Sequence, residues 1–299
     1  MKTTAQLIKR NTKLFFKDKG LFFTALITPM ILLVLYVTFL EKVYRDSFAL
    51  SVPVGMELPE RVLDAAVGGQ LVSSLLAVCC VTVSFCANML MVQDKITGAR
   101  RDMAMTPVKG SALAFGYYLS TLAVTLLISF VALGGGMIYL AATGWCLSGA
   151  DIFFLILDVV LLVLFGTALS SIVNFFLSSQ GQISAVGTIV SSGYGFLCGA
   201  YMPISQFPEG LQKVISFLPG TYGTSLLRNH AMRGALEQMK EQGMPVEAVK
   251  ELRDVVDCNL YFFEKQVSVS TMYLILGVSI AVLLGVYVLL NIWQKKRNA

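Results

Sequence analysis

Charge is scarce in this chain. Only 14% of its 299 residues are Asp, Glu, Lys or Arg and 56% are hydrophobic, whereas soluble globular domains carry about 25% charged residues. An ordinary soluble fold is excluded. Histidine occurs once, as His230, and the six cysteines show neither CxxC nor His-rich spacing, so no metal site is expected. There is no GxxxxGK[ST] and no Gly-Lys pair at all, so the chain cannot cradle a nucleotide phosphate in the P-loop manner. HExxH is absent, as are paired carboxylates within the apolar runs. The loose pattern Gly223-Thr224-Ser225-Leu226 has His230 five residues after its serine, on the same short piece, whereas an intramembrane serine protease needs the two on facing spans. No catalytic residues are expected. No small-residue cleavage pattern follows the first apolar run, which begins only after a lysine-rich segment, so that run is expected to remain as a span.

What is present is apolar length. Runs of about 18 residues or more, enough to cross about 30 Å of hydrocarbon, place six spans near 21–40, 70–92, 111–135, 152–173, 182–202 and 267–293. The ten-residue alternation of a β-barrel is missing. The fold class expected is therefore all-α, a polytopic membrane protein with one transmembrane domain over residues 1–299. Basic residues sort to one side: Lys2, Lys9, Arg10, Lys13, Lys17 and Lys19, then Lys95, Arg100, Arg101 and Lys109, then Lys295, Lys296 and Arg297, opposed only by Asp18, Asp94 and Asp102. The positive-inside rule then puts both termini in the cytoplasm of a cell membrane, expected to be a bacterial plasma membrane. The net charge of +5 follows from this topology, with the lipid bilayer as partner and no nucleic acid.

Between the spans, residues 3–19 form an amphipathic elbow helix, with Leu7, Ile8, Leu14 and Phe15 on one stripe and Lys9, Lys13 and Lys17 on another. The substantial cytoplasmic loop is 95–109, where Gly98 and Pro107 bracket a short piece with Arg100 and Arg101 outward and Met103 and Met105 able to fill a groove. Outside, helices are expected over 59–67 and 245–257. Pro203, Pro208 and Pro219 punctuate an amphipathic segment with Leu211, Val214, Ile215 and Leu218 at helical spacing, and Pro208 suits a first helical position. Such backbone at the end of a span suggests a re-entrant piece over 203–227, followed by an extracellular loop over 228–265. Gly187, Ser191, Gly195 and Gly199, and Gly277, Ala281 and Gly285, form small-residue ladders that allow close helix approach, within the chain or between chains. Asp158 is the one ionisable residue well inside a span, which leaves a proton-linked and a purely hydrogen-bonding role open. Cys146 and Cys258 both fall outside, leaving a disulfide between them open.

Three stretches resemble the ABC-2 type permease family, the membrane subunits of ATP-binding-cassette exporters of ABCG-like (type V) architecture. RNTKLFFKDKGLFFTALITPMIL is similar to the family's approach to span 1, ITGARRDMAMTPVKGSALAFGYYLS to its coupling region, and GAYMPISQFPEGLQKVISFLPGTYGTSLLR to its signature between spans 5 and 6. The six-span layout agrees, though the family usually shows acidic residues around the Gly-Thr turn where this chain has Asp94, Lys95, Arg100 and Arg101. The resemblance implies a permease subunit that works as one of two chains, in a homodimer or heterodimer, on two copies of an ATPase subunit that bind ATP and Mg; this chain holds no cofactor. Coupling to that ATPase would fall to Lys13, Lys17, Asp94, Lys95, Gly98, Arg100, Arg101, Met103 and Pro107. The pathway, lined in the family by spans 2 and 5, would be lined by Ser74, Thr82, Phe85, Asn88, Thr188, Ser192, Tyr194 and Phe196. Pro203, Pro208, Leu211, Val214, Pro219 and Arg228 would form the outer gate. Such an apolar, uncharged lining suits efflux of a hydrophobic or amphipathic substrate such as a drug, peptide or lipid; export of a polysaccharide or glycolipid, or ion-coupled secondary transport, are the alternatives.

Overall fold

The structure is a computed structural model that describes residues 2–50, 58–106 and 108–297; Pro107 lies outside the described residues. The basic helix α1 (Lys2–Lys17) buries Asn11 and Phe15 and packs mainly on α6, leaving Lys9, Lys13 and Lys17 exposed. Asp18 then starts α2 (Lys19–Leu35), its carboxylate accepting from the Leu21 amide at 3.0 Å. Beyond Pro29 the helix widens into a π segment (Tyr36–Leu40) and continues as α3 (Glu41–Leu50).

Helix α4 (Glu60–Ile96) is the axis of the molecule: 37 residues long and buried along its apolar length, it is packed by α2, α6, α7, α8 and α10. The cap helix expected over 59–67 and the span expected over 70–92 are thus one element. Gly68-Gly69 reads as a break in sequence but serves packing here. A Cβ at Gly68 would lie 2.8 Å from Leu140, and one at Gly69 would lie 2.7 Å from the Ala231 carbonyl, so both neighbours approach because a side chain is missing.

After α5 (Ala99–Ala104) come α6 (Gly110–Thr143) and α7 (Gly149–Phe176), the latter opened by a reciprocal cap between Ser148 and Asp151. Helix α8 (Gln180–Leu197) stops short of the expected 202 because Gly199 turns left-handed at φ 75°. A single 3-10 turn (Ile204–Gln206) and α9 (Glu209–Ile215) follow, then α10 (Pro219–Glu241), α11 (Val246–Val255), a hairpin of β1 (Leu260–Phe262) and β2 (Lys265–Val267), and α12 (Val269–Arg297). Pro208 precedes α9 as its cap, whereas Pro219 takes the first position of α10. Helix α10 crosses the expected boundary at 227/228 and is buried without interruption over 220–232.

Among the described residues, five stretches are long and apolar enough to cross a membrane: 19–48, α4, α6, α7 and the Val269–Trp293 part of α12. The fifth expected span, 182–202, corresponds to α8, which has 18 residues and a polar start at Gln180 and Gln182, and it is not among them. The disulfide left open above does not form: Cys146 and Cys258 are both free. Cys146 Sγ sits 3.2 Å from Gln238 Oε1 at the edge of the apolar cluster that encloses Cys258, where burial pushes the Cys258 thiol up to about 11.

The bundle has an internal ruler. Lys95 Nζ donates to the carbonyls of Asn174, Phe175 and Leu177 at 2.7–3.0 Å, which holds the basic ends of α4 and α7 at one level. Counting about 20 helical residues from that level, the length that crosses the hydrocarbon, reaches Leu75 on α4 and Leu155 on α7, the level taken as the far boundary.

Candidate functional site

Two arginine–aspartate pairs bear on α4, one at its basic end and one beside Gln70 and Ser74, while Arg45 of α3 reaches Asp64 nearer the start of that helix. At the basic end Arg10 of α1 grips Asp94 with both guanidinium nitrogens, at 2.6 and 3.1 Å. Tyr117 of α6 donates to the same carboxylate at 2.6 Å. The carboxylate is buried while Arg10 is one-third exposed, and its bond to Asp94 holds the guanidinium above its ordinary pKa. Three helices meet on one carboxylate that α1 alone presents to the outside.

At the far end Arg228 of α10 is fully buried. It donates to Asp257 at 2.9 Å, to the Gly199 carbonyl, and to Ser74 Oγ at 3.4 Å. Gln70, with its amide oxygen turned inward, accepts from Arg228 Nε at 3.2 Å. Asp257 also accepts from the amides of Ile204 (2.6 Å) and Ser205 (3.2 Å). Burial pushes the Asp257 carboxyl above the usual range, and Arg228 opposes that push. One ion pair therefore ties α4, the end of α8, the first turn of the segment over 203–219, α10 and the segment after α11.

A third polar cluster lies beside it. Asp158 of α7 meets His230 Nδ1 at 2.6 Å and accepts from the Tyr273 hydroxyl at 2.6 Å, while Phe154 stacks on the imidazole at 4.9 Å. By the count from Lys95, Asp158 lies within one turn of Leu155, and its bonds to His230 and Tyr273 offset the cost of burying its carboxylate. Ser225 donates to the Cys258 carbonyl and His230 is held by Asp158, so the Gly223–Leu226 pattern brings no serine and base together.

The expected site residues separate clearly. Of the coupling set, Lys13, Lys17 and Arg101 are exposed and Arg100 is half-buried, close to Gly98, which has φ 83°. Asp94 and Lys95 have both side chains bonded inside the chain, the carboxylate to Arg10 and Tyr117 and the ammonium to carbonyls at the end of α7. Met103 packs inward near Met91, Leu113 and Tyr117, leaving Met105 exposed. Of the pathway set, Ser74, Thr82, Phe85 and Asn88 are all enclosed within the bundle. Thr82 donates to the Val78 carbonyl at 2.9 Å, and Asn88 donates to Ser170 and Ser171 at 3.3 and 3.0 Å. On α8, Thr188, Ser192 and Phe196 are exposed and Tyr194 is half-buried. In the segment expected as the gate, the stripe of α9 is split: Ile215 is buried whereas Leu211 and Val214 face outward.

Sequence reading missed Arg10, Tyr117 and Asp257. Arg10 stands in a basic helix where lysines dominate, and the choice of Arg over Lys at that place is the signal that a bidentate contact exists. Among comparisons with known proteins, residues 3–231 match the family model described as ABC-2 type transporter. No curated protein matches the chain.

Proposed function

The chain belongs to the ABC-2 type transporter family, and from that premise we propose that it is the permease subunit of an exporter that moves a hydrophobic or amphipathic substrate using ATP hydrolysed on a partner. The family implies an ATPase partner; we take this to be two copies bound with ATP and Mg to the basic face of two permease chains. The observation that carries the reading is the continuity of α4. It links the Arg10–Asp94 clamp, which the basic face can reach, to the Arg228–Asp257 clamp beneath a lid formed by residues 203–219. A push on α1 or α5 is thereby transmitted along one rigid element to the lid, and rocking between two packings that differ by a few kcal/mol would open and close it. The pathway in this reading runs along the exposed face of α8 past Thr188, Ser192 and Phe196, with no charged side chain, which favours an apolar cargo. The enclosed residues of α4 support that wall instead of lining it.

The test is purification with the candidate ATPase subunit, followed by ATP hydrolysis across a panel of drugs, peptides, lipids and glycans. Stimulation by apolar compounds supports the reading. Stimulation by glycans alone would favour polysaccharide export, and full transport by the purified chain without any ATPase would overturn it.

A further inference from the structure

At the far end the chain displays a cluster of aromatic rings that the bundle does not cover. Phe217, between α9 and α10, meets Phe262 edge-on at 5.2 Å and Phe263 at 6.2 Å, and Phe262 meets Phe263 at 5.0 Å. Their exposures are 62%, 38% and 51%, and Val214, a turn before Phe217, is 61% exposed. Contiguous apolar surface of this kind marks a contact.

The hairpin adds an independent observation. Phe262 pairs with Lys265, so Phe263 and Glu264 form a two-residue turn. Phe263 sits at φ 47°, in the left-handed region, and is the one of the two to do so. A positive φ at the first central position of a two-residue hairpin is the place of glycine, and a bulky residue there is strained. The fold thus holds a phenylalanine in an unfavourable backbone conformation and turns its ring outward. In water the ring would gain nothing to offset that strain, whereas an apolar medium would take it up.

The level of the cluster identifies the medium. Thr221 donates to the Leu197 carbonyl at the end of α8, and α12 begins at Val269, directly after the hairpin. Both place the rings at the far boundary. Further along α12, Leu274, Val278 and Val282 are exposed on a helix long and apolar enough to cross a membrane, which starts two residues after the hairpin. Lys213 and Lys265 are exposed beside the rings and suit phosphate headgroups.

We propose that Phe217, Phe262 and Phe263 form a wedge inserted into the phospholipid leaflet at the far boundary, which anchors the lid to the bilayer. The full chain carrying Phe263→Trp in a Trp145→Phe, Trp293→Phe background is reconstituted into phosphatidylcholine vesicles with acyl chains brominated near the headgroup. Fluorescence is expected to fall roughly twofold or more relative to unbrominated vesicles, with little quenching by aqueous acrylamide, as for side chains seated at the headgroup–acyl boundary. Strong acrylamide quenching without bromolipid quenching would show a solvent-facing ring and overturn the proposal. So would quenching by neither agent combined with photo-crosslinking of p-benzoylphenylalanine at 263 to a second copy. If Phe263→Trp fails to fold, Phe262→Trp is read in the same way, with the same outcomes deciding.

Discussion

The Arg10–Asp94 and Arg228–Asp257 pairs, which meet α4 at its basic end and at Gln70 and Ser74, have the same chemistry and opposite settings. Arg228 and Asp257 are both sealed, at 1% and 3% side-chain exposure, whereas Arg10 keeps 34% beside an Asp94 of 7%. A sealed pair loses a great deal when one partner is removed, because the other charge stays buried without compensation. A half-exposed pair is screened by water and yields little net stability. The far pair therefore behaves as a fixed joint and the basic pair as a contact that can open, with the soft end where a motor protein would push.

The largest effect is expected from breaking the joint. Arg228→Met should destabilise the fold by about 3–5 kcal/mol, read as loss of monodisperse protein on heating in detergent. Adding Asp257→Asn to it should cost little further, because the two share one network. Additive losses would show that the pair is not a unit and would erase the contrast between the ends.

The cluster at Asp158 tests whether a titratable group joins that contrast. Asp158→Asn keeps an acceptor for Tyr273 but removes the charge facing His230, so a loss of about 1–3 kcal/mol is expected, as for hydrogen bonds to charged groups. Substrate-stimulated ATP hydrolysis should keep its pH profile. A shifted profile would place a proton in the transport cycle and add a second movable contact at the end assigned as fixed.

Much of this arrangement was legible beforehand, and the limits have physical causes. Long apolar runs announced α4, α6, α7 and α12 because hydrocarbon demands length, and the proline spacing announced α9 and α11. Helix α10 was not legible: Gly220, Gly223 and Gly234 weaken its helical signal, and its burial comes from neighbours on α4 and α7 that are distant in sequence. The site was split in the same way. Exposed Lys13, Lys17 and Arg101 follow from charge placement alone, but the pairing of Arg10 with Asp94, 84 positions apart, depends on which helices touch. Span 2 was read as a wall of the pathway on resemblance, and hydroxyls such as Thr82 cannot reveal from sequence that they bond their own helix.

At the soft end, Arg10→Gln should cost about 1–3 kcal/mol, less than Arg228→Met, since Asp94 loses its cation but Tyr117 still donates to it. Its effect should appear in coupling: substrate stimulation of the partner's ATP hydrolysis falls several-fold in the assembled complex while co-purification persists. Loss of folding on the scale of Arg228→Met would show that both ends are joints.

The smallest structural effect is expected at the lid's outward face, which neither clamp holds. Val214 is 61% exposed and Leu211 is 40% exposed, so truncation of either to alanine should shift stability by no more than about 0.5 kcal/mol. Assembly with the ATPase should be unaffected, because both lie at the opposite end of α4 from the basic face. Substitution by proline is a different matter: α9 has seven residues, and a proline at 214 removes one of its few backbone bonds. If α9 closes the pathway, Val214→Pro impairs export measured in vesicles while pull-down of the ATPase stays at the level of the unaltered chain. If pull-down fails too, the short helix is needed to build the far joint, and the lid belongs to the rigid half of the molecule instead of to its moving part.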